Sequence, residues 1–280
     1  MPIHDLSYQH WAGEWTSHPY RWWVITRQGI LLLAKRKSFL VLLFLSMIPF
    51  LVRCVMLYFA VVMGRIQLIR VDERFFENFL TYQLYFFTFI IAIFSGAGLI
   101  ANDLKANALQ IYLSKAITRR DYLVGKLGVV VFFIALSTLV PGLLLFLLAA
   151  AFHSDVQFLR QYSWVVLPII GYSLIIVFTN AFVVLALSSL NRSSRFAGIF
   201  FAAVVFFSQV LYGILSQLLD TKAVAWVSLS NNLTQVGDLL FRTPLGFPVS
   251  PWISVLVLAA VMAGSAWIIH SRIRAVEVVR

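Results

Sequence analysis

The sequence predicts an all-α integral membrane protein with six transmembrane helices, an N-terminal interfacial amphipathic helix, and a short cytoplasmic helix between spans two and three. Only 12% of the 280 residues are charged, and 61% are hydrophobic. Six apolar runs reach about 20 residues or more, the length that a helix rising about 1.5 Å per residue needs to cross the hydrocarbon core. These continuous runs lack the alternation of barrel strands, and backbone groups in lipid must be bonded within the segment. Helices are therefore predicted.

The predicted spans define three parts of the chain. Residues 1–38 form a cytoplasmic segment with the interfacial helix, residues 39–270 form the transmembrane domain, and residues 271–280 form a cytoplasmic tail. The six spans are expected at residues 39–63, 82–101, 122–152, 164–190, 196–219 and 252–270.

The distribution of Lys and Arg predicts the orientation. With the N-terminus inside, fifteen of the 22 basic residues fall on the cytoplasmic side and six on the other, and Arg53 lies within a span. An excess of basic residues in cytoplasmic loops is typical of membrane proteins, so both termini are expected inside. The net charge of +11 is spread over loops between spans, which favours lipid headgroups over nucleic acid as partners.

The segment before the first span, HPYRWWVITRQGILLLAKRK, is too interrupted to cross a membrane. Arg21, Gln28 and Lys35 recur every seven residues as a polar stripe, and apolar side chains that include Trp22 and Trp23 lie broadly opposite. This pattern favours a helix lying flat on the inner leaflet. In the alternative, residues 30–34 simply extend the first span.

A helix start is predicted between the second and third spans. In SKAITRRDYLVGK, residues 114–126, Thr118 and Asp121 have the spacing of a capping box. The chain is therefore expected to break at residues 114–117. Upstream, NDLKANALQIYL carries apolar residues on one helical face and predicts a short helix at the membrane surface. On physical grounds alone, this segment can also be a basic loop with no further role.

The run GLIANDLKANALQIYLSKAITRRDYLVGKLGVV, residues 98–130, resembles the signature region of bacterial ABC-2 type permeases. In that family an acidic residue follows the second helix, and a Leu-rich stretch, a Ser-Lys-Pro turn, a basic residue and a Gly-Lys pair follow in order. Ala116 departs from the pattern, because proline is common at that place. The positions that fit are Asp103, Leu109, Leu113, Ser114, Lys115, Arg119, Gly125 and Lys126.

The resemblance implies a coupling helix that docks on a separate ATP-binding subunit, in a protein of the bacterial plasma (inner) membrane. It also implies a dimer with a second permease subunit, either identical or similar, because six spans are half of the usual complement. The residues assigned to ATPase coupling are Asp103, Lys105, Leu109, Leu113, Ser114, Lys115, Arg119, Arg120, Asp121 and Lys126.

ATP chemistry is expected on another chain. The sequence contains no G-x-x-x-x-G-K-[ST] motif, and the Gly125-Lys126 pair lacks the upstream glycine and the following hydroxyl. No cofactor or metal is therefore expected on this chain, and ATP with Mg²⁺ is expected on the partner ATPase. The predicted function is the permease subunit of an ATP-driven exporter and not an enzyme.

The alternatives are an ion-coupled secondary transporter and a structural membrane subunit without transport activity. Ion coupling usually uses ionisable groups inside the bilayer. None of the eleven Asp and Glu residues falls inside a predicted span, which disfavours proton coupling through carboxylates.

Arg53 is the one charge placed within a span by the sequence. It is expected either to pair structurally, with Asn180, Gln209, carbonyls freed by Pro49 or outer-loop acids, or to contact an anionic substrate. The aromatic run at residues 199–210 is interpreted as either a gate between facing subunits or a lipid-facing surface. The candidate translocation path consists of Arg53, Asn180, Phe206, Phe207 and Gln209.

The segment between the last two spans is too polar to cross the membrane. Within it, WVSLSNNLTQVGDLLF predicts short helices that cap the outer exit.

Overall fold

The computed structural model describes residues 20–62, 70–108, 117–153 and 156–273. Over these residues the chain forms helices and turns without a strand, and six helices are long and apolar enough to cross a membrane. The predicted all-α fold with six spans is confirmed. In chain order, spans 1 to 6 are Lys37–Val61, Glu73–Lys105, Arg119–His153, Gln157–Leu190, Ser194–Leu218 and Pro251–Arg272.

Spans 2, 3 and 4 form the centre of the bundle. Between 50% and 67% of the most apolar window of each is buried, against 11% for spans 1 and 5 and 22% for span 6. The end at which span 1 begins and span 2 ends carries Lys35, Arg36, Arg119 and Arg120, and is called the basic end here. The opposite end is called the far end.

The N-terminal helix, Arg21–Ala34, is separate from span 1. Arg36 adopts an extended backbone (ψ 110°) and caps the new helix Lys37–Leu45, so residues 30–34 do not extend the span. The helix packs on span 3 through Gly29 and Gly125. Their missing side chains allow close contact with Val129 and Ile25. Thr26 completes the contact by donating its hydroxyl to the carbonyl of Gly125 at 3.0 Å.

The buried side of the N-terminal helix differs from the predicted apolar face. Ile25, Thr26 and Leu33 are buried against protein, whereas Trp23, Leu31 and Leu32 are exposed. The seven-residue spacing of Arg21, Gln28 and Lys35 did not predict which side of the helix packs on span 3. That contact depends on a small residue, Gly29, and not on a wide apolar stripe.

Spans 1 and 3 are interrupted at prolines. Pro49 stands at the start of Ile48–Leu57, and the carbonyl of Ser46 at the preceding break accepts a hydrogen bond from the amide of Gln83 at 2.8 Å. In span 3 the helix Arg119–Ser137 gives way to Leu139–His153 at Thr138, three residues before Pro141. A proline has no N–H to donate and disfavours the helical backbone before it, so both breaks follow from the sequence.

Span 2 begins at Glu73, nine residues earlier than predicted. Asp72 caps its first helix, Glu73–Gln83, by accepting the N–H of Phe75 at 3.2 Å. Polar residues interrupt this helix in sequence and lower its average hydropathy. Its apolar residues nevertheless share one buried side, formed by Phe75, Phe76, Phe79 and Leu80. A short π-helical turn, Leu84–Thr88, then joins it to Phe89–Gly96 and Ala101–Lys105.

Two short helices link spans 5 and 6, as the sequence predicts. A 3₁₀ helix, Lys222–Val227, precedes an α-helix, Leu229–Phe241, which is called the outer helix here. Ser228 caps the outer helix, and Arg242 ends it in the left-handed conformation (φ 57°). The outer helix is buried among spans 2, 4, 5 and 6, with Gly237 against the ring of Tyr172. It therefore belongs to the far half of the core.

The glycine contact between the N-terminal helix and span 3 predicts a stability effect. In Gly125→Ala the new Cβ would lie 2.7 Å from Cβ of Ile25 and 2.9 Å from the carbonyl oxygen of Trp22. Overpacking of this kind costs about 1–3 kcal/mol. We expect a lower apparent unfolding temperature for the purified variant in detergent, measured by tryptophan fluorescence.

Gly213→Ala is the matched control, because a Cβ at Gly213 meets nothing within 4 Å. It should unfold at the wild-type temperature or above, since alanine favours the helix. A Gly125→Ala protein as stable as Gly213→Ala would contradict the close contact.

Candidate functional site

The loop between spans 2 and 3 with the span ends on either side of it, residues 105–121, is called the elbow here and contains eight of the ten residues assigned to ATPase coupling. Lys105 ends span 2 and Arg119 begins span 3. Between them, Asn107 adopts a left-handed backbone (φ 51°), which turns the chain away from span 2. Leu109, Leu113, Ser114 and Lys115 lie outside the described residues.

The predicted capping box at the start of span 3 is confirmed. The N–H of Asp121 donates to the hydroxyl of Thr118 at 3.1 Å, and the N–H of Thr118 donates to the carboxylate of Asp121 at 3.1 Å. The hydroxyl of Thr118 also donates to that carboxylate at 2.7 Å. Caps of this type stabilise a helix by about 1 kcal/mol, so the start of span 3 is fixed at Arg119.

A buried cluster joins the two span ends behind the elbow. Nζ of Lys126 lies 2.7 Å from Oδ2 of Asp103, and the side chains are only 9% and 18% exposed. The hydroxyl of Tyr122 donates to the same carboxylate oxygen at 2.7 Å. Tyr122 and Lys126 are one helical turn apart on span 3, so both reach the single carboxylate at the end of span 2. We call these three residues the ionic clamp.

Apart from Asp121 in the capping box, the described coupling residues fall into two groups. Asp103 and Lys126 bind each other inside the chain, whereas Lys105, Arg119 and Arg120 are exposed at the surface of the elbow. The exposed group presents positive charge beside the rigid connection. It is thus available to a partner, while the clamp fixes the geometry behind it.

Two contributors to this site were missed by the sequence analysis. One is Tyr122. Its position four residues before Lys126 places both side chains on the same side of span 3, and this spacing could have revealed it. The other is Ser188, at the end of span 4. Its hydroxyl donates to the carbonyl of Ala97 at 2.8 Å and accepts the N–H groups of Ile100 and Ala101 at 3.2 and 3.0 Å. Span 2 leaves the regular helix there, so Ser188 satisfies the freed groups and ties the elbow to span 4.

At the far half, a cavity of about 70 Å³ brings together three predicted path residues, Asn180, Phe206 and Gln209. Asn180 donates its amide to the carbonyl of Ile176 at 2.8 Å, and Gln209 accepts the hydroxyl of Ser228. Phe207 is 67% exposed on span 5 and does not line the cavity. A volume of this size holds about two water molecules, so it is too small for a transported solute.

Arg53 lies apart from these residues. Its guanidinium stacks 4.7 Å from the ring centre of Phe75 and 5.8 Å from that of Tyr82, both on span 2. Cation–π contacts of this kind stabilise a desolvated arginine by about 1–2 kcal/mol. Asn180 and Gln209 bind other groups, as described above. Of the two interpretations of Arg53, these contacts favour structural pairing, although with aromatic rings and not with the predicted polar partners.

The expectation that no carboxylate lies inside a span is wrong. Glu77 lies in span 2 because that span starts at Glu73, and it is only 8% exposed. Its carboxyl contacts the side chains of Asp238 and Thr243 from the outer helix and its end. Asp238 is 5% exposed and also accepts the N–H of Gly246 at 2.9 Å. Two carboxyl groups in contact are stable together when one of them carries a proton.

Residues 65–189 match the family model described as "ABC-2 membrane transporter related". The match confirms the resemblance to ABC-2 type permeases that the elbow sequence indicates. No curated protein matches the chain.

The ABC-2-related region coincides with the structural centre of the protein. It contains spans 2 and 3 entire and span 4 almost to its end, together with the elbow, the ionic clamp and Ser188. The poorly buried spans 1 and 5 lie outside it. The matched part of the chain is therefore the part that positions the elbow. Within the described residues, no group of three or more His, Cys, Asp or Glu side chains is placed to hold a metal ion.

The ionic clamp predicts strong coupling between its two charges. In Asp103→Ala, Lys126 would remain buried without its carboxylate, which costs about 3 kcal/mol. We expect a clear fall in apparent unfolding temperature, and a partial recovery when Lys126→Met is added, because the buried charge that has lost its carboxylate is then removed.

Lys105→Met is the matched control, because it removes an exposed cation from the same elbow. It should change stability by less than about 0.5 kcal/mol. If Asp103→Ala and Lys126→Met simply add in the double variant, the two residues do not interact energetically.

Proposed function

We propose that this chain is the membrane-spanning permease subunit of an ATP-binding cassette exporter, and that a separate ATPase subunit drives it through the elbow. The observation that carries the proposal is the ionic clamp. It lies within the ABC-2-related region and holds the ends of spans 2 and 3 together behind an exposed basic surface. A surface that transmits force needs both a contact for the partner and a stiff connection to the spans.

The proposed contact for the ATPase is the exposed group Lys105, Arg119 and Arg120, continued by the undescribed residues 109–116. A displacement there reaches spans 2 and 3 through the clamp. It reaches span 4 through the hydroxyl of Ser188, which binds three backbone groups of span 2. The three most buried spans would therefore respond as one unit.

The basic end is proposed to face the cytoplasm of a bacterial cell, with the protein in the inner membrane and both termini inside. The excess of Lys and Arg at this end supports that orientation. ATP and Mg²⁺ are assigned to the partner ATPase, and this chain is given no cofactor. Export is the direction that the family resemblance implies.

A second permease subunit, identical or similar, is proposed to complete the transporter. Spans 1 and 5 are the least buried, and span 5 exposes Phe206 and Phe207. Because the cavity beside Asn180 and Gln209 is too small for cargo, we place the translocation path between two subunits, with these phenylalanines at its wall. Arg53, stacked on span 2, then has a structural role.

Co-purification tests this proposal. The chain expressed with its candidate ATPase should retain that subunit through size-exclusion chromatography. Arg119→Glu/Arg120→Glu should reduce the retained ATPase by about tenfold or more, because it places two like charges against the surface that receives the arginines.

Arg272→Glu is the control, since it reverses an exposed charge at the same end of the bundle but outside the elbow. Equal loss in both variants would indicate nonspecific electrostatics. Undiminished ATPase in the elbow variant would contradict the assigned contact.

The buried pair Glu77 and Asp238 favours one second candidate, an ion-coupled secondary transporter. Vesicles that contain the chain alone and an entrapped pH indicator distinguish the two. The exporter proposal expects no proton movement beyond that of empty vesicles when an ion gradient is imposed.

Proton movement that disappears in Glu77→Gln but persists in Glu73→Gln would support ion coupling and contradict the exporter proposal. Glu73 is the matched control, because it lies one turn away on the same helix and is less buried.

A further inference from the structure

Two buried carboxyl groups meet where the outer helix packs on span 2. Glu77 of span 2 and Asp238 of the outer helix are 8% and 5% exposed, and their side chains are in contact. An ionised carboxylate has only acceptor atoms, so two of them cannot bond to each other. The contact therefore requires one proton, which the two groups share. We call these two residues the carboxyl pair.

The carboxyl pair has one cation close to it, and that cation is exposed. Among the described residues, the charges that act on Glu77 are those of Asp238 and Arg74. Arg74 lies three positions before Glu77, with its side chain at the surface. Because water and salt screen an exposed charge, its attraction for the buried carboxylates is weak. The shared proton thus remains the main neutralising charge.

The other elements around the pair add no opposite charge to it. Tyr85 of span 2 and Tyr172 of span 4 face the pair, and a phenol is uncharged at neutral pH. The nearest ionisable groups of spans 1 and 3, Arg53 and His153, stack on aromatic rings. Arg242, at the end of the outer helix, lies 5.1 Å from the ring centre of Trp164.

Asp238 also holds the turn that follows the outer helix. Its Oδ2 accepts the N–H of Gly246 at 2.9 Å, and its backbone carbonyl accepts the N–H of Thr243 at 3.0 Å. Between them, Arg242 adopts the left-handed backbone that reverses the chain. The side chain of Thr243 contacts Glu77 as well. The contact with Glu77 therefore fastens both the end of the outer helix and its turn to span 2.

We propose that the carboxyl pair is a pH-sensitive latch, which holds the end of the outer helix on span 2 while the shared proton is present. When the proton leaves, two buried negative charges repel each other, and the helix end separates from the span. The proton is exchanged with the solution at the far end, where residues 244–246 are exposed. The latch goes beyond the proposed function, because it needs neither the ATPase nor cargo. It also moves no proton across the membrane.

The direction of the pH effect follows from the number of bound protons. The closed state holds one proton, whereas the open state holds none at neutral pH, because solvated carboxyl groups ionise near about pH 4. The closed-to-open ratio therefore falls about tenfold for each pH unit above about pH 5, for as long as the closed state keeps its extra proton. In Glu77→Gln the amide donates to Asp238 at every pH, so this dependence should disappear.

Thiol labelling of the purified full chain in detergent measures the opening. Val236 on the outer helix is 2% exposed, and Cys54 is the free cysteine of the chain. In Cys54→Ser/Val236→Cys, a polar maleimide should therefore react when the helix opens. Dividing its labelling rate by that of the same protein with Glu77→Gln cancels the pH dependence of the thiol itself. We expect this rate ratio to rise about tenfold or more between pH 6 and pH 8.

Glu73→Gln is the matched control, because Glu73 lies one turn away on the same helix and is less buried. It should leave the pH dependence of Val236→Cys labelling unchanged. Leu245→Cys, at a position 46% exposed in the turn, should give a rate ratio of about one at both pH values. Asp238→Asn removes the repulsion from the other side and replaces Glu77→Gln if that variant does not fold. A rate ratio that does not change with pH, or an equal effect of Glu73→Gln, would overturn the latch.

Discussion

A single carboxylate, that of Asp103, organises the basic end of this protein. Span 2 ends beside Asp103, and the chain then returns as span 3. The end of one helix and the start of the other both leave polar groups in a partly buried region. Lys126 and Tyr122 bind the same oxygen of Asp103 from one side of span 3. Buried ion pairs contribute little net stability, but an incomplete pair is costly. The clamp therefore selects one arrangement of the two spans over the alternatives.

The clamp is supported by contacts that need small residues. Gly125 precedes Lys126 and lets the N-terminal helix approach span 3, so that Thr26 can bond to its carbonyl. Ser188 fits beneath the irregular end of span 2 and satisfies three backbone groups with one hydroxyl. Backbone groups in an apolar surrounding require such partners. The ion pair, the close glycine contact and the hydrogen bonds to the freed backbone groups thus lie within a few helical turns of one another.

The spans and the capping box were predictable because each depends on local sequence. Continuous apolar runs predict spans, and the capping-box residues Thr118 and Asp121 are only three positions apart in the sequence. The start of span 2 and the buried Glu77 were not predictable in the same way. The helix Glu73–Gln83 buries only one side, and Glu77 is accommodated by Asp238 and Thr243, more than 150 residues away in the sequence. Likewise, no local feature of the sequence predicts that Lys126 binds Asp103 while Arg119 and Arg120 remain on the surface.

The break at Thr138 gives span 3 two arms of different surroundings. The arm from Arg119 to Ser137 is uninterrupted and about 27 Å long. The two arms join at Thr138, three residues before Pro141. A shift of about 5 Å at Arg119 corresponds to a swing of about 10° around that point. A hinge at Thr138 would let the far arm keep its packing in the far half of the bundle while the near arm moves under the proposed ATPase.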